Sequence, residues 1–245
     1  MKTLLIDIGN SRVKWAYAVG GRLQAPAQAV PLADSDALFA AWHDTYELPP
    51  NQVRMVSVID RPIVNEIEQW IKAQWGLMPE RIKTPSSNLA LTIAYKNAEQ
   101  LGADRWLAMV GAQCRGLLPV CVIDCGSAIT IDVVDLSGRH HGGLILPGLA
   151  AQQTGIAQIA PALPSPDFTR SPPLLAKTPA DAVLSGYLHG SAAAIHGLVA
   201  RIRKETGLPL QAVLTGGDAK QLSAYFSETP LVLPDLVLEG LAAMG

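Results

Sequence analysis

Two short segments of the chain carry one pattern, Leu5-Ile6-Asp7-Ile8-Gly9-Asn10-Ser11 and Val122-Ile123-Asp124-Cys125-Gly126-Ser127-Ala128. Asp124 follows Asp7 by 117 residues in a chain of 245. Each copy is an apolar run that closes on Asp-x-Gly. Each is followed by a second apolar run, Arg12 to Val19 and Ile129 to Val134, and then by a glycine-bearing turn. Asp-x-Gly alone is a common turn signature. With matching strands on both sides it predicts a strand–turn–strand hairpin in each of two related halves, residues 1–117 and 118–245, facing a cleft.

Composition agrees with a folded, duplicated chain and removes several classes. Apolar residues make up 49% and charged residues 16%, enough apolar surface for a sizeable core. Nineteen basic and 21 acidic residues leave a net charge of −2, which supplies no basic face for nucleic acid. The first residues offer an apolar run too short for a signal-peptide core. Ala182 to Ala200 carries His189 and His196 among small residues and predicts a packed helix rather than a membrane span. Cys114, Cys121 and Cys125 form no CxxC pair, so reduced thiols in the cytoplasm are expected. So low a charge density also leaves surface for a second copy of the chain to cover.

Local patterns supply further elements. Residues 3–8 and 12–19 read as strands joined at Gly9-Asn10, and 53–59 and 120–123 as further strands. Residues 64–75 have helical apolar spacing. Thr84 to Ser87 is a loop, and 97–114 a helix with Asn97 as its N-cap. The proline-rich stretch 161–179 predicts an irregular loop before a long helix, 180–206, stopped by Gly207. Val213 to Ala219 reads as strand, glycine turn and helix.

A strand that ends in Asp-x-Gly sets a carboxylate beside turn amides. Those amides and nearby hydroxyls can bind phosphate oxygens, while the carboxylate holds hydrated Mg²⁺ on the same nucleotide. Glycine permits the close approach. Gly216-Gly217 could pass a nucleoside near its backbone. The GxxxxGK[ST], GxGxxG, HExxH and GxSxG templates are absent from the sequence, which disfavours ordinary P-loop and Rossmann enzymes. Within the helical run, Asp104 and Arg105 read either as an exposed acid–base pair or as a base for a substrate hydroxyl beside an anion anchor. The planar fork of arginine suits a carboxylate.

Taken in order, these motifs resemble the type III pantothenate kinases. The resemblance rests on Asp7 to Ser11, Gly102-Ala103-Asp104-Arg105-Trp106 and Asp124 to Ala128, continues through Gly142 to Gly148 and Leu214 to Ala219, and covers nearly the whole chain. It implies a duplicated actin-like (ribonuclease H-like) α/β fold, with mixed five-stranded sheets flanked by helices and a cleft between the domains. It also implies ATP-dependent phosphorylation of the pantothenate hydroxyl, the first step of coenzyme A synthesis.

By the same resemblance Asp7, Ile8, Gly9, Asn10, Ser11, Arg12, Val13 and Lys14 form the first phosphate loop, with Asp7 near Mg²⁺. Asp104 is the proton acceptor, and Tyr95, Gly102, Ala103, Asp104, Arg105 and Thr178 serve pantothenate. Asp124 ligates a monovalent cation (K⁺ or NH₄⁺), Ser127 contacts ATP, and the enzyme is a homodimer. Ser11 and Ser127 stand where the family usually has threonine, and His141 where tyrosine is common. A kinase for another small hydroxyl compound, or a nucleotide-binding regulator, remains open from these residues alone.

Overall fold

The computed structural model describes residues 1–45, 49–84 and 91–244. In chain order the elements are β1 (Lys2–Ile8), β2 (Arg12–Val19), β3 (Arg22–Leu23), β4 (Gln28–Pro31), α1 (Ser35–Thr45), β5 (Gln52–Ser57), α2 (Pro62–Trp75), β6 (Glu80–Arg81) and α3 (Ala103–Cys114). They continue as β7 (Val120–Cys125), β8 (Ala128–Val134), β9 (His140–Pro147), α4 (Leu149–Ile159), α5 (Pro179–Thr206), β10 (Gln211–Thr215), α6 (Ala219–Ser223), β11 (Leu231–Val232) and α7 (Leu236–Ala242). The chain divides into two compact units, Met1–Leu117 with Asp235–Gly245, and Leu118–Pro234. The last eleven residues thus count with the first unit, although their place in the sequence put them with the second.

The two units repeat one topology. In the first, β1 pairs antiparallel with β2 on one side and parallel with β5 on the other, and β6 extends the parallel side. In the second, β7 pairs antiparallel with β8 and parallel with β10, and β11 extends the parallel side. The position beyond β8 is filled by β9. The equivalent position beyond β2 is shared by β4, along Arg12–Trp15, and β3, at Ala18–Val19. The expected five-stranded plan therefore holds in the second unit, and in the first it has one outer position split between two short strands.

Alternation along the strands sets the layers. Leu4, Ile6, Ile8, Val13, Trp15, Tyr17, Val53 and Met55 face a core closed by Leu38 and Trp42 of α1 and by Val64, Ile67 and Ile71 of α2. The opposite face of that sheet meets α7, which lies against β1, β2, β3 and β5. In the second unit Cys121, Ile123, Ile129, Ile131 and Leu214 meet Leu184, Leu188, Ile195 and Val199 of α5. Thr178 caps α5, its Oγ1 accepting from the Asp181 N–H at 3.2 Å, and Gly207 closes the helix at φ 69°.

Residues 97–114 are two elements rather than one helix. Asn97 caps only a single turn at Ala98–Gln100, accepting from the Glu99 N–H. Leu101 is then extended (φ −74°, ψ 128°), and its carbonyl takes the Thr84 hydroxyl at 2.7 Å instead of continuing a helix. The strand expected over 53–59 ends at Ser57, whose hydroxyl accepts from the Ile59 N–H. Of the loop expected at 84–87, Pro85 to Ser87 lie outside the described residues.

α3 and α7 cross with almost no side chain between them. A Cβ at Gly111 would lie 2.2 Å from the Leu236 carbonyl oxygen, and one at Gly240 would lie 2.0 Å from that of Leu107. The Arg115 guanidinium grips Glu239 through Nε and, at 2.6 Å, through Nη2. Gly240→Ala must push two helix backbones apart. The expected cost is that of an overpacked core, about 1–3 kcal/mol, read as a lower urea midpoint of unfolding, and an unchanged midpoint would show that the crossing can relax.

Candidate functional site

The first hairpin is built on β1. Ile6 and Ile8 are fully buried, whereas Asp7 between them turns to the other face and keeps partial exposure. The antiparallel register sets Asp7 opposite Lys14 and Ile8 opposite Val13, so the acid and the base share one face of the sheet. The Gly9 N–H donates to the Arg12 carbonyl at 3.0 Å and closes the turn. Of the expected phosphate loop, Asn10, Ser11 and Arg12 are exposed. Ile8 and Val13 lie in the core, so only their backbone can meet a ligand.

The second hairpin repeats this with a turn one residue shorter. Asp124 stands opposite Thr130 and Cys125 opposite Ile129, and the Gly126 N–H donates to the Ala128 carbonyl at 3.0 Å. Here the neighbours come much closer. A Cβ at Gly216, which has φ 92°, would lie 2.3 Å from Asp124 Oδ1 and 2.5 Å from the Cys125 carbonyl oxygen. Glycine is required there by conformation and by space together. A Cβ at Gly148, the N-cap of α4, would lie 2.2 Å from the Gly126 carbonyl oxygen and 2.6 Å from that of Ser127. The Asp218 N–H donates to the Cys125 carbonyl at 2.9 Å. Backbone from β10 and from the start of α4 therefore packs directly on the hairpin tip that carries Asp124 and Ser127. Beyond its place in the Gly142 to Gly148 motif, Gly148 carries no local signal in the sequence for the helix it opens.

Around the start of α3 the structure brings Tyr95, Gly102, Asp104 and Arg105 together. Asp104 Oδ1 accepts from the Arg105 N–H at 2.8 Å, and a Cβ on Gly102 would stand 2.6 Å from that same oxygen. A carboxylate so placed is favoured by the partial positive charge of the helix N-terminus. Arg105 is 7% exposed, its Nη1 donates to the Tyr95 hydroxyl at 3.2 Å, and its guanidinium lies 5.9 Å from the Tyr95 ring centre. A guanidinium this deeply set suits a fixed anion far better than a solvated surface pair does. The reading of Asp104 and Arg105 as an exposed pair is therefore set aside for Arg105.

Thr178 sits in the second unit with a defined structural task. Besides capping α5 it donates to Asp181 Oδ2 at 2.9 Å, and Asp181 also takes Arg170 Nη1 at 2.7 Å. His140 is wholly buried and 3.0 Å from Asp132, and His141 is 2.7 Å from Asp135. Hydrogen bonds from Ser137, His141 and the Arg139 amide hold the Asp135 carboxyl well below the usual range.

No cluster of three or more His, Cys, Asp or Glu suited to a metal ion occurs among the described residues. A nucleotide-borne Mg²⁺ or an alkali cation needs less, one or two carboxylates completed by carbonyls, phosphate and water. Asp124 fits that need, with the Cys125 carbonyl beside it and glycine on two sides, and so does Asp7 at the end of β1. Among the described residues no helix is long and apolar enough to cross a membrane.

Comparison with known proteins gives the family and the fold. The profile of the type III pantothenate kinases matches residues 3–201. A type III pantothenate kinase of Nitrosococcus oceani is 35% identical over 98% of this chain and 92% of its own length. One from Dichelobacter nodosus is 34% identical over 98% and 96%. Among solved structures, a putative Baf family transcriptional activator from Campylobacter jejuni superposes with TM-score 0.60 at 23% identity, over 98% of this chain and 96% of that one. An activator of 2-hydroxyisocaproyl-CoA dehydratase from Clostridium difficile, with bound ADPNP, gives 0.54 at 14% identity, over 99% and 92%. Both likenesses concern the fold, which is the duplicated actin-like α/β arrangement.

Cys125 ends β7 directly before the second turn, with its side chain in the core. Burial pushes its thiol far up, with Asp124 and Asp218 adding to the effect. Burial likewise pushes Cys121 up to about 12. Cys114 is exposed, and its thiol is raised by partial burial and Glu239. At pH 8 the thiolate fraction of both buried cysteines is negligible. Iodoacetamide on the native protein should label Cys114 alone by mass spectrometry, and rapid labelling of Cys125 would contradict this account of the turn.

Proposed function

The chain belongs to the type III pantothenate kinase family, and on that premise we propose that Asp104 is the proton acceptor in the ATP-dependent phosphorylation of pantothenate that it catalyses. The observation that carries this assignment is the cluster at the start of α3. There a carboxylate is held on a helix amide, next to an arginine whose guanidinium is buried beside the Tyr95 hydroxyl. Arg105 binds the carboxylate of pantothenate with Tyr95 fixing its guanidinium, and Asp104 takes the proton from the substrate hydroxyl as the phosphoryl group arrives. Phosphoryl transfer asks mainly for positioning and charge neutralisation, which the two hairpins provide.

Residues Asp7 to Lys14 and Ser127 bind ATP through turn amides, hydroxyls and the Lys14 ammonium, and Ile8 and Val13 contribute backbone only. Mg²⁺ on the nucleotide, which neutralises charge on the β- and γ-phosphates, is assigned to Asp7, and a monovalent cation, K⁺ or NH₄⁺, to Asp124. Thr178 completes the pantothenate set with Gly102 and Ala103. The working form is a cytoplasmic homodimer.

General-base catalysis is worth roughly 10²- to 10⁴-fold. In a coupled assay with ATP, Mg²⁺, K⁺ and pantothenate, Asp104→Asn should lose turnover on that scale while nucleotide binding stays near normal. Turnover close to that of the unaltered enzyme removes Asp104 from this role.

Arg105→Lys keeps the charge and loses the fork. A hydrogen bond to a charged group is worth about 1.5–3 kcal/mol, so the pantothenate KM should rise roughly tenfold or more with the ATP KM unchanged. A change confined to the ATP KM would move Arg105 out of the acceptor pocket.

A further inference from the structure

Gly102 is the N-cap of α3, yet nothing in its backbone asks for glycine. Its φ of −54° and ψ of 134° lie in the extended region open to any residue. Helix capping also points elsewhere. Serine, threonine, asparagine and aspartate are preferred at this position, because a side-chain oxygen there accepts from the second or third amide of the helix. At α3 the cap makes no side-chain hydrogen bond. The third amide, the Arg105 N–H, goes instead to Asp104 Oδ1. That oxygen occupies the space a side chain at 102 would need, 2.6 Å from an ideal Cβ, with Asp104 Cγ at 3.8 Å.

We propose that Gly102 is a positioning residue for Asp104: lacking both a Cβ and a capping oxygen, it leaves the space and the Arg105 amide to the Asp104 carboxylate. The proposal rests on the assignment of Asp104 as proton acceptor and explains how that carboxylate is held still. A methyl group at 102 collides with the far end of a side chain rather than with backbone. Asp104 can therefore swing away while α3 keeps its place and the protein folds. The hydroxyl introduced by Gly102→Ser does more, since it competes directly for the Arg105 N–H.

Gly102→Ala and Gly102→Ser, each made alone and together with Asp104→Asn, separate this role from simple packing. Displacing a reacting group by about 1 Å costs on the order of 10²-fold. Both single variants should lose roughly 10- to 100-fold in kcat with the ATP KM unchanged, and the melting temperature of Gly102→Ser should hold or rise. Residues acting as a unit are not additive, so on the Asp104→Asn background the same changes should cost about twofold or less. A loss equally large on both backgrounds overturns the proposal, as does near-normal kcat in both single variants.

NMR supplies a readout independent of turnover. In the unaltered protein the Arg105 amide proton should follow the ionisation of Asp104 as pH changes, and in Gly102→Ala that response should vanish. An Arg105 amide that ignores the titration from the start, or follows it equally in the variant, overturns the inference. Asp104→Asn with unimpaired turnover would sink only the proton-acceptor assignment, and the amide titration would still decide Gly102.

Discussion

A carboxylate can end a strand that is hydrogen-bonded along both edges only where the sheet's cover stops. Taking an isolated charge out of water is among the costliest steps in folding. Ile6, Ile8, Ile123 and Cys125 are all fully buried, while Asp7 and Asp124 between them remain partly exposed. Each acid faces a polar partner across the hairpin, Lys14 or Thr130. The chain then turns at once, through Gly9 or Gly126. Two strand ends meeting the same physical demand in the same way account for the sequence echo better than shared turn preference does. The equivalent parallel neighbours, β5 beside β1 and β10 beside β7, extend the repeat beyond the hairpins.

The other fixed point is α3. Its start carries Asp104 and Arg105, and its middle and end are fixed by α7. Gly111 and Gly240 let the two helix backbones touch, and Arg115 closes the far end on Glu239. The N-cap of α7 is tied in turn, since Asp235 accepts the Ala27 N–H at 3.1 Å. A helix held along one side by backbone contact has little freedom to rock. That rigidity serves the role proposed for Asp104, because the geometry of a reacting group must be set before substrate arrives.

What the sequence disclosed follows the strength of its local signals. The hairpins were legible because apolar runs meet an Asp-x-Gly turn, and α5 because a proline-rich loop precedes it and Gly207 stops it, although its start at Pro179 and its Thr178 cap were not. The cluster of Asp104 with Arg105 was legible as chemistry, but only the structure buries the arginine against Tyr95. β9 was missed because Gly142 and Gly143 interrupt its alternation and five of its eight residues are exposed. Asn97 looked like the cap of a long helix, and nothing local announced that the buried Leu101 would break it. α7 carries no warning of its destination, since which unit a short apolar helix joins depends on contacts far away in sequence.

That last point bears on how the site is assembled. The second unit is one continuous segment, 118–234, whereas the first needs both ends of the chain. Arg115 and Glu239 are 124 residues apart, and Ala27 and Asp235 are 208 apart. Closing loops of that length in a flexible chain carries an entropic cost that grows only slowly with length, but it must be met before any contact of α7 is gained. A folded intervening unit replaces the flexible loop by a span of set length, which lowers that cost. Backbone-to-backbone contact at two glycines and a forked ion pair hold this last helix over its seven residues. The helix bearing Asp104 is accordingly held by contacts that span most of the chain, whereas the hairpin bearing Asp124 lies within one continuous segment.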